Sequence, residues 1–273
     1  MLLEKGKIDS AAVREVLDRA KKEGRSALSA ADAKKVADAC GIPVPKEGHA
    51  NSADEAARLA EGMGFPVVLK IVSPDILHKT EAGGVITGVG NASEAREAYA
   101  QIVSNARKHS PNAKIDGVQV QQQLGAGAQE VIVGAVTDPG FGKLIAFGLG
   151  GVLVELIKDV TFRLAPASRE DALSMLDSIQ AAELLKGVRG SDPVDRDALA
   201  AILVAVSQLV TEFPEIAEVD LNPVFARKEG ATAVDVRILL DFNPQPERYR
   251  PSQDEILHAM DHIMRPKAIA VIG

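Results

Sequence analysis

The chain has 273 residues, of which 46% are apolar and 25% are charged, as in an ordinary globular protein. This length allows one large domain or two modest ones, with enough apolar residues to bury a sizeable core. A net charge of −7 and the lack of a basic stripe argue against a general nucleic-acid surface. They do not exclude a local phosphate site, which needs only a few positive groups.

Cys40 is the single cysteine, which excludes an intramolecular disulfide framework and a multi-cysteine metal site. It ends a helical pattern just before Gly41, and we interpret it as a small buried apolar residue in preference to a reactive thiol. No signal peptide opens the chain. The longest uncharged run, 144–154, contains three glycines and is too short to span a bilayer. We therefore expect a cytoplasmic protein.

Three helices are predicted in the first quarter of the chain. The first covers Ile8 to Glu23, and the second follows a cap at Ser29 and ends at Gly41. The third begins at Ser52, with Glu55 three residues on, which is the spacing of a capping box. Strands over 66–72, 85–89 and 117–124 and a helix over 91–110 complete the first half.

Strands and helices without a regular βαβ repeat are predicted in the second half. The pattern therefore favours an α+β fold over a doubly wound sheet. The predicted elements are strands over 129–138 and 144–151, an apolar run over 152–157, helices over 168–179 and 195–213, and a strand pair over 216–226 and 231–241. A proline-rich linker, a helix from Asp254 to Met264 and a last apolar strand follow.

Lys70 lies inside the apolar strand "FPVVLKIV", and Gly83-Gly84 follows it after a polar loop. A lysine in a buried strand is unfavourable unless its ammonium meets an anion, although an edge strand with a lysine reaching to solvent fits the pattern as well. The two glycines allow positive φ and close backbone approach, and successive N–H groups there could hold a phosphate; many glycine pairs are simply turns.

His78 stands in this loop, in "SPDILHKTEAGGV". An imidazole titrates near neutrality, so its neutral form can act as a nucleophile towards phosphorus. A loop histidine can equally be a solvated or capping residue. The sequence pattern alone leaves both interpretations open.

Acidic side chains interrupt two apolar strands near the end of the second half. Alternation places Glu218, Asp220 and Asn222 on one face of "AEVDLNPV", and Asp235 lies in the next strand. Asn222 and Asp235 could meet across the hairpin and offer hard oxygen ligands to Mg²⁺, which takes one or two protein ligands. The alternative is an edge hairpin with a solvated acidic face.

Several long motifs resemble those of the ADP-forming (NDP-forming) acyl-CoA synthetases, a family of ATP-grasp enzymes. They are "GFPVVLKIVSPDILHKTEAGGV", "QEVIVGAVTDPGFGKLIAFGLGGVLVEL", "DVTFRLAP" and "EVDLNP", in order and at the expected distances. The resemblance covers about Ser26 to Asn243. The tail "IMRPKAIAVIG" resembles the first strand of the family's CoA-binding domain.

The resemblance implies an ATP-grasp fold, with two α+β subdomains that hold ATP and Mg²⁺ between them. Residues 1–24 would be an N-terminal helical extension, and 25–245 the ATP-grasp domain, divided near 120–125. Residues 246–273 would be a linker and the first strand of a CoA-binding domain. The resemblance implies that Lys70 and Arg163 contact phosphates and that Gly83 and Gly84 allow the ligand to approach the backbone closely. Gln122, Gln123 and Leu124 would contact adenine, and Glu130 would contact the ribose. Asn222 and Asp235 would bind Mg²⁺.

His78 resembles the second phosphohistidine of the family's relay, and Asp220 matches the acid that pairs with it. The implied activity is the reversible conversion of ATP, a carboxylic acid and CoA to acyl-CoA, ADP and phosphate. This chain would need a CoA-binding and ligase half as its partner. Two alternatives are a succinyl-CoA synthetase-like β subunit, which looks to have an arginine in place of His78, and a non-catalytic ATP-binding regulatory module.

Overall fold

The computed structural model describes residues 8–76, 79–125, 127–151, 159–188, 192–243 and 252–265. Four sequence predictions lie outside these residues: His78, the apolar run over 152–157, most of the linker and the last apolar strand. Among the described ranges, no helix is long and apolar enough to cross a lipid bilayer.

Helices and strands are mixed along the chain without regular alternation. In order they are α1 (Ser10–Lys22), α2 (Ala30–Ala39), β1 (Glu47–Ala50), α3 (Ala53–Met63), β2 (Val67–Val72), β3 (Val85–Val89), α4 (Ala92–His109), β4 (Gly117–Gln122), β5 (Gln129–Asp138), β6 (Gly142–Leu149), β7 (Val160–Leu164), α5 (Arg169–Ser178), α6 (Ala182–Leu185), α7 (Arg196–Glu212), β8 (Ile216–Ala226), β9 (Ala231–Ala233), β10 (Val236–Leu240) and α8 (Gln253–Met264).

The smaller unit is a four-stranded antiparallel sheet in the order β1-β4-β2-β3. Helices α3 and α4 pack on it through small alanines and Ile102, which is fully buried. Each helix begins at a side chain that accepts a backbone N–H of the first turn: Ser52 caps α3 and Asn91 caps α4. The small side chains let helix and sheet approach closely, so an alanine-rich sequence with few aromatics still buries a core.

The larger unit is a six-stranded antiparallel sheet that follows the path β10-β8-β5-β6-β7, with β9 paired to β8. One face packs in a single core with α1, α2, α5 and α7. Alternation along β8 places Val219 and Leu221 in this core and turns Asp220 to the opposite face. We call this opposite side the outer face; by register it carries Asp220 on β8, Gly134 on β5, Phe162 on β7 and Arg237 on β10.

The strand predicted over 231–241 is broken in two at Val234 and Asp235. Register passes from Ala233 opposite Val224 to Val236 opposite Leu221. Val234 and Asp235 lie between these two pairings, and the N–H of Val234 donates to the Pro223 carbonyl at 2.9 Å. The meeting of Asn222 and Asp235 across the hairpin stays a prediction.

Helix α1 is an integral part of the larger unit, although its sequence predicted an N-terminal extension. Val13, Leu17 and Ala20 are fully buried in the core that the six-stranded sheet forms. Between α1 and α2, the buried Asp32 accepts hydrogen bonds from Arg19 at 2.5 Å and from a guanidinium nitrogen of Arg25 at 3.0 Å. Because its apolar stripe matches this core, the helix packs on its own fold.

Cys40 should be unreactive in the folded protein. It is half-buried, and burial raises the pKa of its thiol to about 12, with the Glu212 charge acting in the same direction. Since the thiolate is the reacting form, alkylation by iodoacetamide near pH 8 should be about 10³-fold slower in the native than in the denatured protein. Free glutathione alkylated with and without denaturant corrects for the effect of solvent. Equal corrected rates would contradict the burial of this thiol.

Candidate functional site

Lys70 extends from β2 at the boundary between the two units. Its Nζ donates a hydrogen bond to Gln121 Oε1 at 2.7 Å. Burial lowers the pKa of this ammonium below its usual value and the Lys79 charge acts in the same direction, whereas the Asp235 and Glu47 carboxylates oppose the shift. An ammonium has three donors, so an anion can still bind beside the glutamine. Because β2 lies between β4 and β3, Lys70 is not a solvated lysine on an edge strand. Anion binding by Lys70 stays a prediction.

Gln121 links the two units and was missed by the sequence analysis. Its side chain is buried; Oε1 accepts from Lys70, while Nε2 donates to Glu47 at 3.3 Å and to the Val234 carbonyl at 3.2 Å. Val234 lies in the break between β9 and β10 of the larger unit, so this amide joins the smaller unit to the larger one. The signal was present in "VQVQQ", where glutamines alternate with valines in a strand that reads as buried.

A cavity of about 80 Å³ lies between the units, lined from both sides. Its charged walls are Lys34, Lys70 and Lys79 with Glu47 and Asp235. Three ammonium groups around one small cavity form a locally positive site in a protein of net charge −7. The sequence analysis did not predict Lys79 or Lys34 as site residues. Lys79 could have been found because it directly follows His78. Lys34 gives no such signal, because it looks like an ordinary exposed lysine on a helix.

Gly83 and Gly84 close the loop tightly onto β2. Gly83 has a φ of 61°, and a side chain at Gly84 would approach Ile71 to 2.5 Å. These positions need glycine for packing within the protein, and the approach of a ligand to them stays a prediction. Their N–H groups donate to the carbonyls of Thr80 and Lys79 at 3.0 and 2.8 Å, so they do not point to a phosphate in this arrangement.

The predicted adenine hinge, Gln122 to Leu124, begins at the last residue of β4, where the chain passes from the small to the large unit. The N–H of Gln122 donates to the Lys46 carbonyl at 2.8 Å and that of Gln123 to the Pro66 carbonyl at 3.0 Å. These bonds fix the backbone of the crossover. Glu130 lies just beyond, on β5, and a side chain at Gly150 would approach its Cβ to 2.9 Å. The glycine therefore leaves Glu130 room beside it.

The outer face of the large sheet groups the predicted acids. Burial raises the pKa of the Asp220 carboxyl, the Glu218 charge adds to the shift, and Arg237 opposes it. Asn222 is exposed beside them on the same strand. In the part of the chain described, no three His, Cys, Asp or Glu side chains converge as metal ligands. The Asn222–Asp235 pair stays a prediction.

Arg163 was expected to reach a phosphate, but it does not share this face. It pairs in register with the buried Ile145, which places it on the helix-covered side of the sheet. Its guanidinium donates to the hydroxyls of Ser174 at 3.3 Å and Ser178 at 3.1 Å on α5. The sheet itself therefore separates Arg163 from Asp220, because one residue of register decides the face of a strand side chain.

The sequence profile of the ATP-grasp domain family matches residues 19–240. The chain therefore belongs to the ATP-grasp domain family. The ATP-grasp fold expected from the motifs is confirmed. The chain is 47% identical over 230 residues to acetate–CoA ligase (ADP-forming) I subunit beta of Pyrococcus furiosus, an alignment that covers 84% of this chain and 98% of the relative.

Solved ATP-grasp structures agree with this assignment. Dinucleotide-forming acetyl-coenzyme A synthetase 1 of Ca. Korarchaeum cryptofilum, in complex with coenzyme A, Ca-AMPCP and HgCl⁺, has a TM-score of 0.79 and 45% identity, covering 84% of this chain and 99% of that one. Another structure of that synthetase, with coenzyme A and Mg-AMPPCP, has a TM-score of 0.74 and 41% identity, covering 84% and 100%. Its phosphohistidine segment points towards the nucleotide-binding site.

Proposed function

We propose that this chain is the ATP-grasp part of an ADP-forming acyl-CoA synthetase, which passes a phosphoryl group between ATP and a histidine. The whole reaction would convert ATP, a carboxylic acid and CoA to acyl-CoA, ADP and phosphate, reversibly. One observation carries the proposal: the half-buried Lys70 ammonium of the smaller unit and the Asp235 carboxylate of the larger unit line one cavity between the units. The identity to an acetate–CoA ligase beta subunit over nearly its full length supports the same reaction class.

The charges around this cavity indicate how the nucleotide would bind. Lys70 would bind the phosphates, assisted by Lys79, and the crossover after β4 would receive adenine at Gln122 to Leu124. Glu130, on β5, the next strand along the chain, would accept hydrogen bonds from the ribose hydroxyls. Positioning and charge neutralisation account for most of the catalysis of phosphoryl transfer, so these contacts are the main contribution of the protein.

Mg²⁺ fits the oxygen donors that Asn222 and Asp235 offer. Asn222 and Asp235 would hold the ion, which takes few protein ligands and completes its shell with water and phosphate oxygens. When bound, it would neutralise negative charge on the phosphates.

Replacing Asp235 by alanine should raise the Mg²⁺ concentration needed for half-maximal nucleotide binding by about 10-fold or more. Nucleotide binding is measured by calorimetry over a series of Mg²⁺ concentrations and again in excess chelator. The matched control, Glu229→Gln, removes a charge from the exposed turn between β8 and β9. An unchanged Mg²⁺ dependence would remove Asp235 from the metal site.

The transfer step needs one nucleophile and one orienting acid. A neutral ring nitrogen of His78 would attack the γ-phosphorus, forming an N–P bond while the bond from phosphorus to the bridging oxygen breaks and ADP leaves with its electron pair. Asp220 would accept the N–H of the other ring nitrogen, which fixes the tautomer and stabilises the positive charge that develops on the ring. Their proximity is a proposal that rests on the motifs, since His78 lies outside the described residues.

The reaction also needs a half that binds CoA and the carboxylic acid, as a separate subunit or as further chain. That half would carry the first phosphohistidine and would choose the acid. Because ATP is the phosphoryl donor, the proposal places the protein in the cytoplasm.

Labelling tests the proposal directly. The chain is incubated with Mg-ATP radiolabelled at the γ-phosphate, alone and with a CoA-binding half from a related synthetase. Label that is lost in acid and kept in base indicates a phosphohistidine. Failure to label under both conditions, with nucleotide binding intact, would contradict the relay and favour a regulatory ATP-binding module.

A further inference from the structure

Arg237 is an exposed cation on the outer face that neither the motifs nor the cavity singled out. In the antiparallel β8–β10 pair it lies directly opposite Asp220, so the two Cα atoms are about 5 Å apart. Its neighbour Ile238 is buried opposite Val219, which places Arg237 and Asp220 on the same, outer side. The guanidinium and the carboxylate are thus adjacent groups on one surface.

The two groups do not neutralise each other through a direct ion pair. No ion pair or hydrogen bond of Arg237 occurs among the residues that the structure describes, although its charge acts on Asp220. Glu218 and Asp235 also act on Asp220, so Arg237 stands among three carboxylates. A phosphoryl anion approaching Asp220 would meet this negative field, and Arg237 is the cation beside it.

Small residues lie on the other side of Asp220. Gly134 lies opposite Asp220 on β5, and Ala146 lies opposite Gly134 on β6. A side chain at Gly134 would approach the Val219 carbonyl to 2.8 Å, so glycine is needed there for packing. The neighbours of Asp220 on this side are therefore a glycine and an alanine, while Arg237 borders it on β10.

We propose that Arg237 binds the phosphoryl oxygens of a phosphohistidine whose ring N–H is held by Asp220. A phosphorylated imidazole has an N–H donor at one end and anionic oxygens at the other, which complements an adjacent carboxylate and guanidinium. The planar guanidinium can give two parallel N–H bonds to such a group. This inference rests on the proposed function, because it assigns a further residue to the same transfer.

The test uses phosphoimidazole, the reactive part of a phosphohistidine, and the whole chain. Binding is followed by phosphorus NMR in excess chelator and without nucleotide, so that neither Mg²⁺ nor its ligands contribute. Arg237→Gln should weaken binding about 10-fold or more, the scale of a lost charge-assisted hydrogen bond. Arg237→Lys should restore part of the affinity, since it keeps the charge but not the fork.

Two controls separate this contact from general charge effects. Arg169→Gln removes an equally exposed guanidinium on α5 and should bind phosphoimidazole like the wild type. Imidazole without its phosphoryl group should bind wild type and Arg237→Gln alike. Equal phosphoimidazole affinity in wild type and Arg237→Gln, or no saturable binding to wild type, would overturn the inference.

The labelling experiment distinguishes a wrong assignment of Arg237 from a failure of the proposed relay. Nucleotide affinity should be the same in wild type and Arg237→Gln, whereas the rate of label formation should fall. If wild type is labelled and the variant is labelled at the same rate, Arg237 alone is wrongly assigned. If wild type is never labelled, the proposed relay itself fails.

Discussion

Replacing His78 by alanine is expected to abolish the acid-labile label that radiolabelled ATP leaves on the protein. Alanine has no ring nitrogen to form the N–P bond, so no partial activity should remain at this position. Nucleotide binding should persist, because the cations around the cavity are unchanged. Filter-bound counts after base and after acid treatment, with nucleotide affinity measured in parallel, provide the measurement.

The matched control for His78 is His109→Ala, which removes an exposed histidine at the end of α4. It should label like the wild type. Equal labelling of His78→Ala and wild type would exclude His78 as the phosphoryl carrier and direct attention to other histidines of the chain. A label that is stable in acid would point to a different residue type altogether.

Replacing Asp220 by alanine is expected to slow phosphoryl transfer by about 10²–10⁴-fold, the range of acid–base contributions. Without a carboxylate on its second nitrogen, the imidazole would lose its fixed tautomer and the stabilisation of its developing positive charge. Asp220→Asn keeps an oxygen that can accept the ring N–H but loses the charge, so its rate should lie between those of wild type and alanine. Rapid-quench labelling gives these rates.

Glu229→Gln serves as the charge control for Asp220, because it removes one carboxylate from an exposed turn. Nucleotide affinity should change little in Asp220→Ala, because Asp220 acts on phosphoryl transfer and not on nucleotide binding. A rate within a few fold of wild type would show that Asp220 acts on the fold or the metal and not on the histidine. A large loss of nucleotide affinity would lead to the same conclusion.

The sequence by itself predicted more of the fold than of the site. Helix caps at Ser29 and Ser52 and the apolar periodicities located most elements, because these signals depend only on neighbouring residues. Alternation in "AEVDLNPV" correctly placed Val219 and Leu221 inside and the acids outside. Long motifs in order indicated the ATP-grasp family, which the profile match over 19–240 confirms.

Register and packing decided the rest. Arg163 lies in a motif that suggested a phosphate contact, yet its pairing with Ile145 turns it to the helices. Gln121 meets Lys70 because β4 pairs with β2, and Lys34 joins them only because the larger unit packs against the smaller one. No local pattern in the sequence predicts these contacts. Helix α1 looked like an extension until the core accounted for its apolar stripe.

Arg237 is the clearest example of a residue whose neighbours only the tertiary structure determines. In the sequence it is a charged residue in an apolar strand, seventeen positions after Asp220. Only the antiparallel pairing of β8 and β10 makes the two residues neighbours on one face. A sequence specifies which residues are apolar and where helices begin because those properties are local. Which charges act on one another depends on strand order and register, which are set by the packing of the whole chain.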